Sequence, residues 1–201
     1  MPIIPQCLNN IVTRQKMLGY LMPSLLRAGA LDEDIIRTES VLSIKFNQEL
    51  KDLYTHADGI DIPDDVPCGK TGLLPIHNFL SLANALEYSK PFDEIGIEDF
   101  FIPWGAEKGP GPRLFPFLDD GAGNCYWVDL NDNDRNGQIF WTNTYGSSPD
   151  YKYDSLTSFF ETLDCAYNQG MLWLDEEGYL TMDYEQFDDL RKKKNHLILG
   201  N

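Results

Sequence analysis

The chain has 201 residues, 42% of them apolar, with 16 Lys and Arg against 32 Asp and Glu for a formal net charge of −16. This composition suits one or two folded domains and argues against disorder, and the apolar run Met17 to Leu26, interrupted by Pro23, is too short to cross a membrane. The acidic excess excludes direct nucleic-acid binding, which needs Lys and Arg to neutralise phosphates; it suits a basic protein partner or a surface kept soluble by charge.

The opening Met1-Pro2-Ile3-Ile4-Pro5-Gln6 lacks the basic and apolar regions of a secretory signal, so a cytoplasmic location is expected. Cys7, Cys68, Cys125 and Cys165 form no CxxC pair and read as reduced, mostly buried small hydrophobes. Residues 1–52 hold six acids and six bases, residues 53–190 hold 26 acids and six bases, and residues 191–201 hold four bases. The acidic field therefore belongs to the middle and later parts of the fold.

Leu8, Ile11, Val12, Leu18, Met22 and Leu25 share one helical face, which predicts an amphipathic helix over 8–27, bent or interrupted at Pro23 and closed by Ala28-Gly29-Ala30. Asp32-Glu33-Asp34 place carboxylates in the first turn of a second helix, with Leu31, Ile35, Ile36 and Leu42 facing inward. Asn47 caps a third, whose apolar positions Leu50, Leu53, Tyr54 and Ala57 fall at i, i+3, i+4, i+7 before the Asp58-Gly59 stop. Residues 60–71 lack periodicity and read as an exposed loop. A short strand is expected over 72–75, then a helix capped by Asn78 and carrying Phe79, Leu82, Ala83 and Leu86 on one face.

From Phe100 the period changes to two, with runs at 100–104, 113–118, 124–130 and 138–142 that predict an antiparallel meander. Large apolar groups on both faces of Cys125 to Leu130 and Gln138 to Thr142 suggest central strands covered on both sides, and Pro116 places its strand at an edge or limits its pairing. Leu156, Phe159, Phe160, Leu163 and Tyr167 form the stripe of a helix over 155–168, ended by Gly170. A hairpin around Glu177-Gly178 and a helix begun by Asp183 and Gln186 and ended by Arg191 to Lys194 complete the chain.

Catalytic signals are sparse. His56, His77 and His196 show no triad or zinc spacing, and a Cys125 nucleophile served by His56 or His77 competes with ordinary packing of a strand cysteine. The glycines at 121 and 123 and at 109 and 111 lead into strands and read as turns, without the helix start that a phosphate cradle needs. Asp132, Asp134, Asn136 and Gly137 reproduce the first half of a calcium loop, but position 12 is Asn143 instead of Glu; a polar hairpin loop accounts for the same residues. No cofactor, metal or enzymatic activity is expected.

The remaining constellation is acidic: Asp61, Asp64 and Asp65; Asp93, Glu94, Glu98 and Asp99; Asp119 and Asp120. Converging on one sheet edge they would steer and hold a basic protein; scattered, they are a solvated surface.

Three stretches resemble the SMI1/KNR4 family, or SUKH superfamily: the opening helices ending Glu49 to Gly59, the run Phe115 to Leu130 before Gly137-Gln138-Ile139-Phe140, and the closing helix with Ser158-Phe159-Phe160-Glu161-Thr162-Leu163. The middle run is similar to the family's acidic, Gly-rich turn followed by Asn and an aromatic-rich strand, whereas Phe46-Asn47 stands where members often have Leu-Pro. The resemblance implies an α+β fold, a mainly antiparallel sheet packed by helices, with a domain over 31–170 between an N-terminal helical extension over 1–30 and a C-terminal extension over 171–201. It also implies a non-enzymatic, protein-binding role. Many bacterial members resemble immunity proteins that neutralise a cognate toxin, often a nuclease; other members act in regulation or as scaffolds for signalling or cell-wall-synthesis proteins.

Overall fold

The computed structural model describes residues 2–67, 69–90, 113–143 and 150–196. Within them the chain forms α1 (Ile3–Met17), α2 (Met22–Leu25), α3 (Asp32–Val41), α4 (Gln48–His56), β1 (Asn78–Phe79), α5 (Leu82–Ser89), β2 (Leu114–Asp119), β3 (Cys125–Asp129), β4 (Ile139–Thr142), β5 (Asp150–Tyr153), α6 (Leu156–Asn168), β6 (Leu172–Leu174), β7 (Leu180–Met182) and α7 (Tyr184–Lys194). The first five strands make one antiparallel sheet in the order β1-β2-β3-β4-β5, and β6 and β7 form a separate hairpin. This is the expected α+β architecture.

Local chemistry sets several boundaries where the sequence places them. Asn47 accepts from the Leu50 N–H at 2.9 Å and starts α4, Ser155 and Ser158 form a reciprocal capping box at α6, and Asp183 accepts from Gln186 to start α7. Glu49 adds a carboxylate at the α6 N-terminus, 3.0 Å from the Leu156 N–H, so one opening helix caps the closing one.

Other boundaries differ. The expected helix over 8–27 is two pieces: α1 begins earlier, at Ile3, and ends at Met17, after which Gly19 takes φ 76° and Pro23 sits in the first turn of α2, where its missing N–H is not needed. The strand expected over 72–75 is a tight turn that joins Leu74 to His77, and Asn78 lies in a strand rather than capping a helix. Ser81 caps α5 instead, accepting from Asn84 at 3.1 Å, and the buried face of α5 is Leu82, Ala85 and Ser89, with Ala83 exposed. Two bonds decide this: Ile60 donates to the Phe79 carbonyl and Leu80 donates to the Phe117 carbonyl, so long-range pairing holds the segment extended. The run at 100–104 lies outside the described residues.

Pro116 is not on an edge strand, because β2 lies between β1 and β3, but its pairing is limited as expected. β1 reaches only Leu118 and Asp119, and the β2–β3 register shifts between Pro116 and Leu118. Leu130 donates to the Arg113 carbonyl, so the alternation along β2 turns the Pro116 nitrogen away from β3, where no ladder bond requires it.

The two faces of the sheet are both apolar. One packs Phe115, Phe117, Val128, Ile139 and Tyr153 against the helices, with Phe159 of α6 set edge-on to Phe117 and Tyr153. The other holds Leu114, Cys125, Trp127 and Phe140, joined by Tyr88 and Tyr151. α1 lies along α6 within the main core. Buried Gln15 of α1 donates to the Tyr167 hydroxyl at 2.7 Å, and the Tyr20 hydroxyl bridges the Gly69 carbonyl and the Gly72 N–H at 2.9 Å each. The N-terminal helices are thereby tied to the sheet-bearing part of the chain. At the opposite side, Arg191 of α7 donates to the Lys152 carbonyl and Asn195 accepts from the Asp154 N–H, which covers part of the outer edge of β5.

Candidate functional site

The nine acidic positions singled out from the sequence fall into different environments. Asp61, Asp64 and Asp65 are exposed on the loop before Gly69. Gly59 lies against Leu80 and Ser81 and Ile60 donates to the Phe79 carbonyl, so the start of this loop lies beside β1, whose Asn78 pairs with Asp119. Asp119 is half-buried, with Oδ1 enclosed and without a hydrogen-bond partner, and burial pushes its carboxyl above the usual carboxylate range.

Asp120 is not a surface group. It is 5% exposed and accepts from the Ala122 and Asn124 N–H groups at 2.8 and 2.9 Å and from the Asn124 amide, which folds the Asp120-Gly121-Ala122-Gly123-Asn124 turn around its carboxylate. Its charge supports the turn, correcting its assignment to an exposed patch. Asp93, Glu94, Glu98 and Asp99 lie outside the described residues.

The half calcium loop forms a hairpin connection. Asp132 pairs with Arg113, Asn133 accepts from the Arg135 N–H, the Asn136 amide donates to the Asn131 carbonyl, and Gly137 takes φ 88° while donating to the Asp129 carbonyl. Among the described residues no group of three or more His, Cys, Asp or Glu side chains is placed to hold a metal. Nor do the nucleophile and base meet. Cys125 faces Trp127 and Phe140, fully buried, and burial holds its thiol well above the usual range. His77 packs on Tyr126, which belongs to the other face, and His56 contacts Asn9.

Of the concavities among the described residues, one of about 380 Å³ lies between α1 and α6 at Asn10, Thr13, Arg14, Met17 and Asn168, and two others border the sheet. The larger, about 820 Å³, lies where the α3–α4 connection meets the β3–β4 turn and is lined by Glu39, Ser43, Lys45, Arg113, Asp132 and Asn136 among others. Its floor is a buried charge: Glu39 accepts from the Phe46 N–H at 2.8 Å and from Lys45 at 3.0 Å, with Lys51 at 3.3 Å. Burial alone would raise the Glu39 pKa, but these donors outweigh it and hold the carboxyl below its ordinary 4.5.

The smaller, about 300 Å³, lies between the Leu74–His77 turn, the outer part of the sheet and α7, and its lining includes five aromatic rings: Tyr126, Trp141, Tyr153, Tyr184 and Phe187. The turn carries Pro75 at its second position and Ile76 at its third, with Ile76 at φ 62° where such turns normally require Gly. His77 follows, its Nδ1 bonded to the Pro75 carbonyl and its Nε2 3.4 Å from the Trp141 indole N–H. Burial lowers the His77 pKa below 6.5 against the raising effects of the Pro75 carbonyl and Asp120; because an indole N–H can only donate and a carbonyl can only accept, Nε2 is the acceptor and Nδ1 the donor in these contacts.

Sequence reasoning missed this pocket, which draws on segments more than 60 residues apart. It also passed over residues 170–190, which hold seven carboxylates and no Lys or Arg and supply one wall of it.

Residues 29–164 match the SMI1 / KNR4 family (SUKH-1). No curated protein matches the chain.

Proposed function

Because the chain belongs to the SMI1/KNR4 family (SUKH-1), we propose that it is an immunity protein that binds and neutralises a cognate toxin in the cytoplasm, acting by contact and not by catalysis. The observation that carries this reading is the net charge of −16 together with its outward placement at Asp61, Asp64, Asp65 and along residues 170–190. A basic toxin, such as a nuclease whose cleft is built for phosphates, is attracted to such a surface, and an acidic protein seated over that cleft excludes nucleic acid by occupying its charge.

Affinity capture of the tagged chain from its native cells at low and high salt, followed by growth rescue against whatever elutes, tests the proposal. Recovery of a basic protein released by salt, whose toxicity the chain suppresses, is the expected result. Recovery of a signalling or cell-wall-synthesis complex, with no toxicity to suppress, would replace neutralisation with a scaffold role.

A further inference from the structure

The ring-walled pocket combines three features. Ile76 at its rim is 47% exposed and adopts a left-handed backbone conformation that a β-branched residue avoids, an arrangement that persists only where the surroundings impose it. Tyr184, which also lines the pocket, is 65% exposed although it opens a helix rich in charged residues. The cations that line the pocket are already engaged: Lys152 pairs with Asp150, and Arg191 pairs with Asp188 while donating to the Lys152 carbonyl. What the pocket offers an incoming group is therefore aromatic and aliphatic surface. Its charge is uneven: the wall from Met182 to Asp188 carries Asp183, Glu185 and Asp188 and no base, whereas the cations of the other walls, Lys152 and Arg191, are paired with Asp150 and Asp188.

We infer that this pocket is the anchor point for an aromatic side chain flanked by Lys or Arg, presented by the basic protein partner. The inference rests on the binding role proposed above and adds the place and chemistry of its central contact. An enclosed aromatic anchor bordered by opposite charges is the usual form of a dominant interface contact: the ring supplies affinity as it leaves water, and the charges select the partner and speed the encounter. A volume of about 300 Å³ accommodates one large side chain. The strained turn holds Ile76 outward as one jaw, with Trp141 and Tyr184 as the others.

The test uses the full chain and three probes, acetyl-Lys-Trp-Lys-Lys-amide, acetyl-Lys-Ala-Lys-Lys-amide and N-acetyltryptophanamide, followed by NMR at the Ile76 methyls, the Trp141 indole and the backbone amides of Asp61, Asp64 and Asp65. Saturable shifts with the Trp peptide, with affinity at least about tenfold above that of either other probe, are expected. Tyr184→Ala and Ile76→Gly should each abolish the shifts at the remaining pocket residues. Ile76→Gly should do so without lowering the melting temperature, because Gly relieves the positive φ, and this separates loss of the anchor from loss of the fold. Equal binding of the two peptides, read only at Asp61, Asp64 and Asp65, would overturn the pocket and leave the basic-partner reading standing. Binding of N-acetyltryptophanamide as tight as that of the Trp peptide would retain the pocket for an aromatic group and overturn the basic flank. Absence of shifts with every probe would overturn the anchor.

Discussion

The two concavities beside the sheet differ in volume and also in what their polar groups are doing. In the larger one the buried Glu39 carboxylate is met by one backbone N–H and two lysines, and Arg113 is met by Asp132. In the smaller one Lys152 and Arg191 are paired with Asp150 and Asp188, five aromatic rings join the lining, and Ile76 and Tyr184 face water. Each contains one of the two non-glycine residues with positive φ among those described, for different reasons. Ser43, at φ 54°, ends α3: Ser43 donates to the Ser40 carbonyl and Ile44 to the Glu39 carbonyl, so the conformation closes a helix. Ile76 ends nothing. The larger cleft is thus a joint of the fold, and volume alone is a poor guide to which concavity meets a partner.

The largest effect should come from the joint. Glu39→Ala removes the acceptor of the buried Phe46 N–H and leaves Lys45 and Lys51, both partly in water, to resolvate; a loss of about 2 kcal/mol is expected in urea unfolding. The folded variant should bind the Trp peptide unchanged, and weakened binding at full occupancy of the native state would merge the two concavities into one functional unit. Next in size is Asp120→Ala, which strips the turn of two backbone bonds and should cost about 1–2 kcal/mol. Charge reversal at Asp64 and Asp65 should instead leave stability within about 0.5 kcal/mol while slowing association with a basic partner and flattening its salt dependence.

Acid separates the two regions by pH. His77 has its folded pKa below 6.5, so the unfolded chain binds more protons and stability falls as pH drops below that value. Glu39 has its folded pKa below 4.5; its contribution is complete above that value and is lost only as pH falls further. Urea midpoints measured against pH should therefore begin to fall just below 6.5, and His77→Gln should remove that first decline and keep the second. An undiminished first decline would assign it to another group. The smallest effect is a gain: Ser43→Gly should stabilise by about 0.5–1 kcal/mol in thermal melts, since Gly carries no Cβ penalty at a helix end of this kind.

These contrasts also show where sequence was a sufficient guide. The starts of α4 and α7 were legible because a cap and the N–H it receives are three residues apart. The start of α5 was not, because Asn78 and Ser81 are both good caps and the choice is made by Ile60 and Phe117, bonded to this segment from elsewhere in the chain. Similarly, Asp64 and Asp120 are indistinguishable as charges. Only the Gly121, Gly123 and Asn124 that follow Asp120 hinted that its carboxylate would turn inward onto its own loop. The aromatic pocket left no local trace, since Ile76, Trp141 and Tyr184 come from three separate elements and each reads alone as an ordinary apolar position.

The contact of α7 with β5 has a consequence for how the chain behaves in a crowded cell. A strand at the end of a sheet offers unpaired backbone groups that can recruit strands from other molecules. Here the Lys152 carbonyl is taken by Arg191 and the Asp154 N–H by Asn195, so the last helix works as a stopper that keeps the sheet from growing outward. Nicking by a protease between Leu190 and Asn195 would uncouple that stopper and leave the outer edge of β5 open to strands of other molecules.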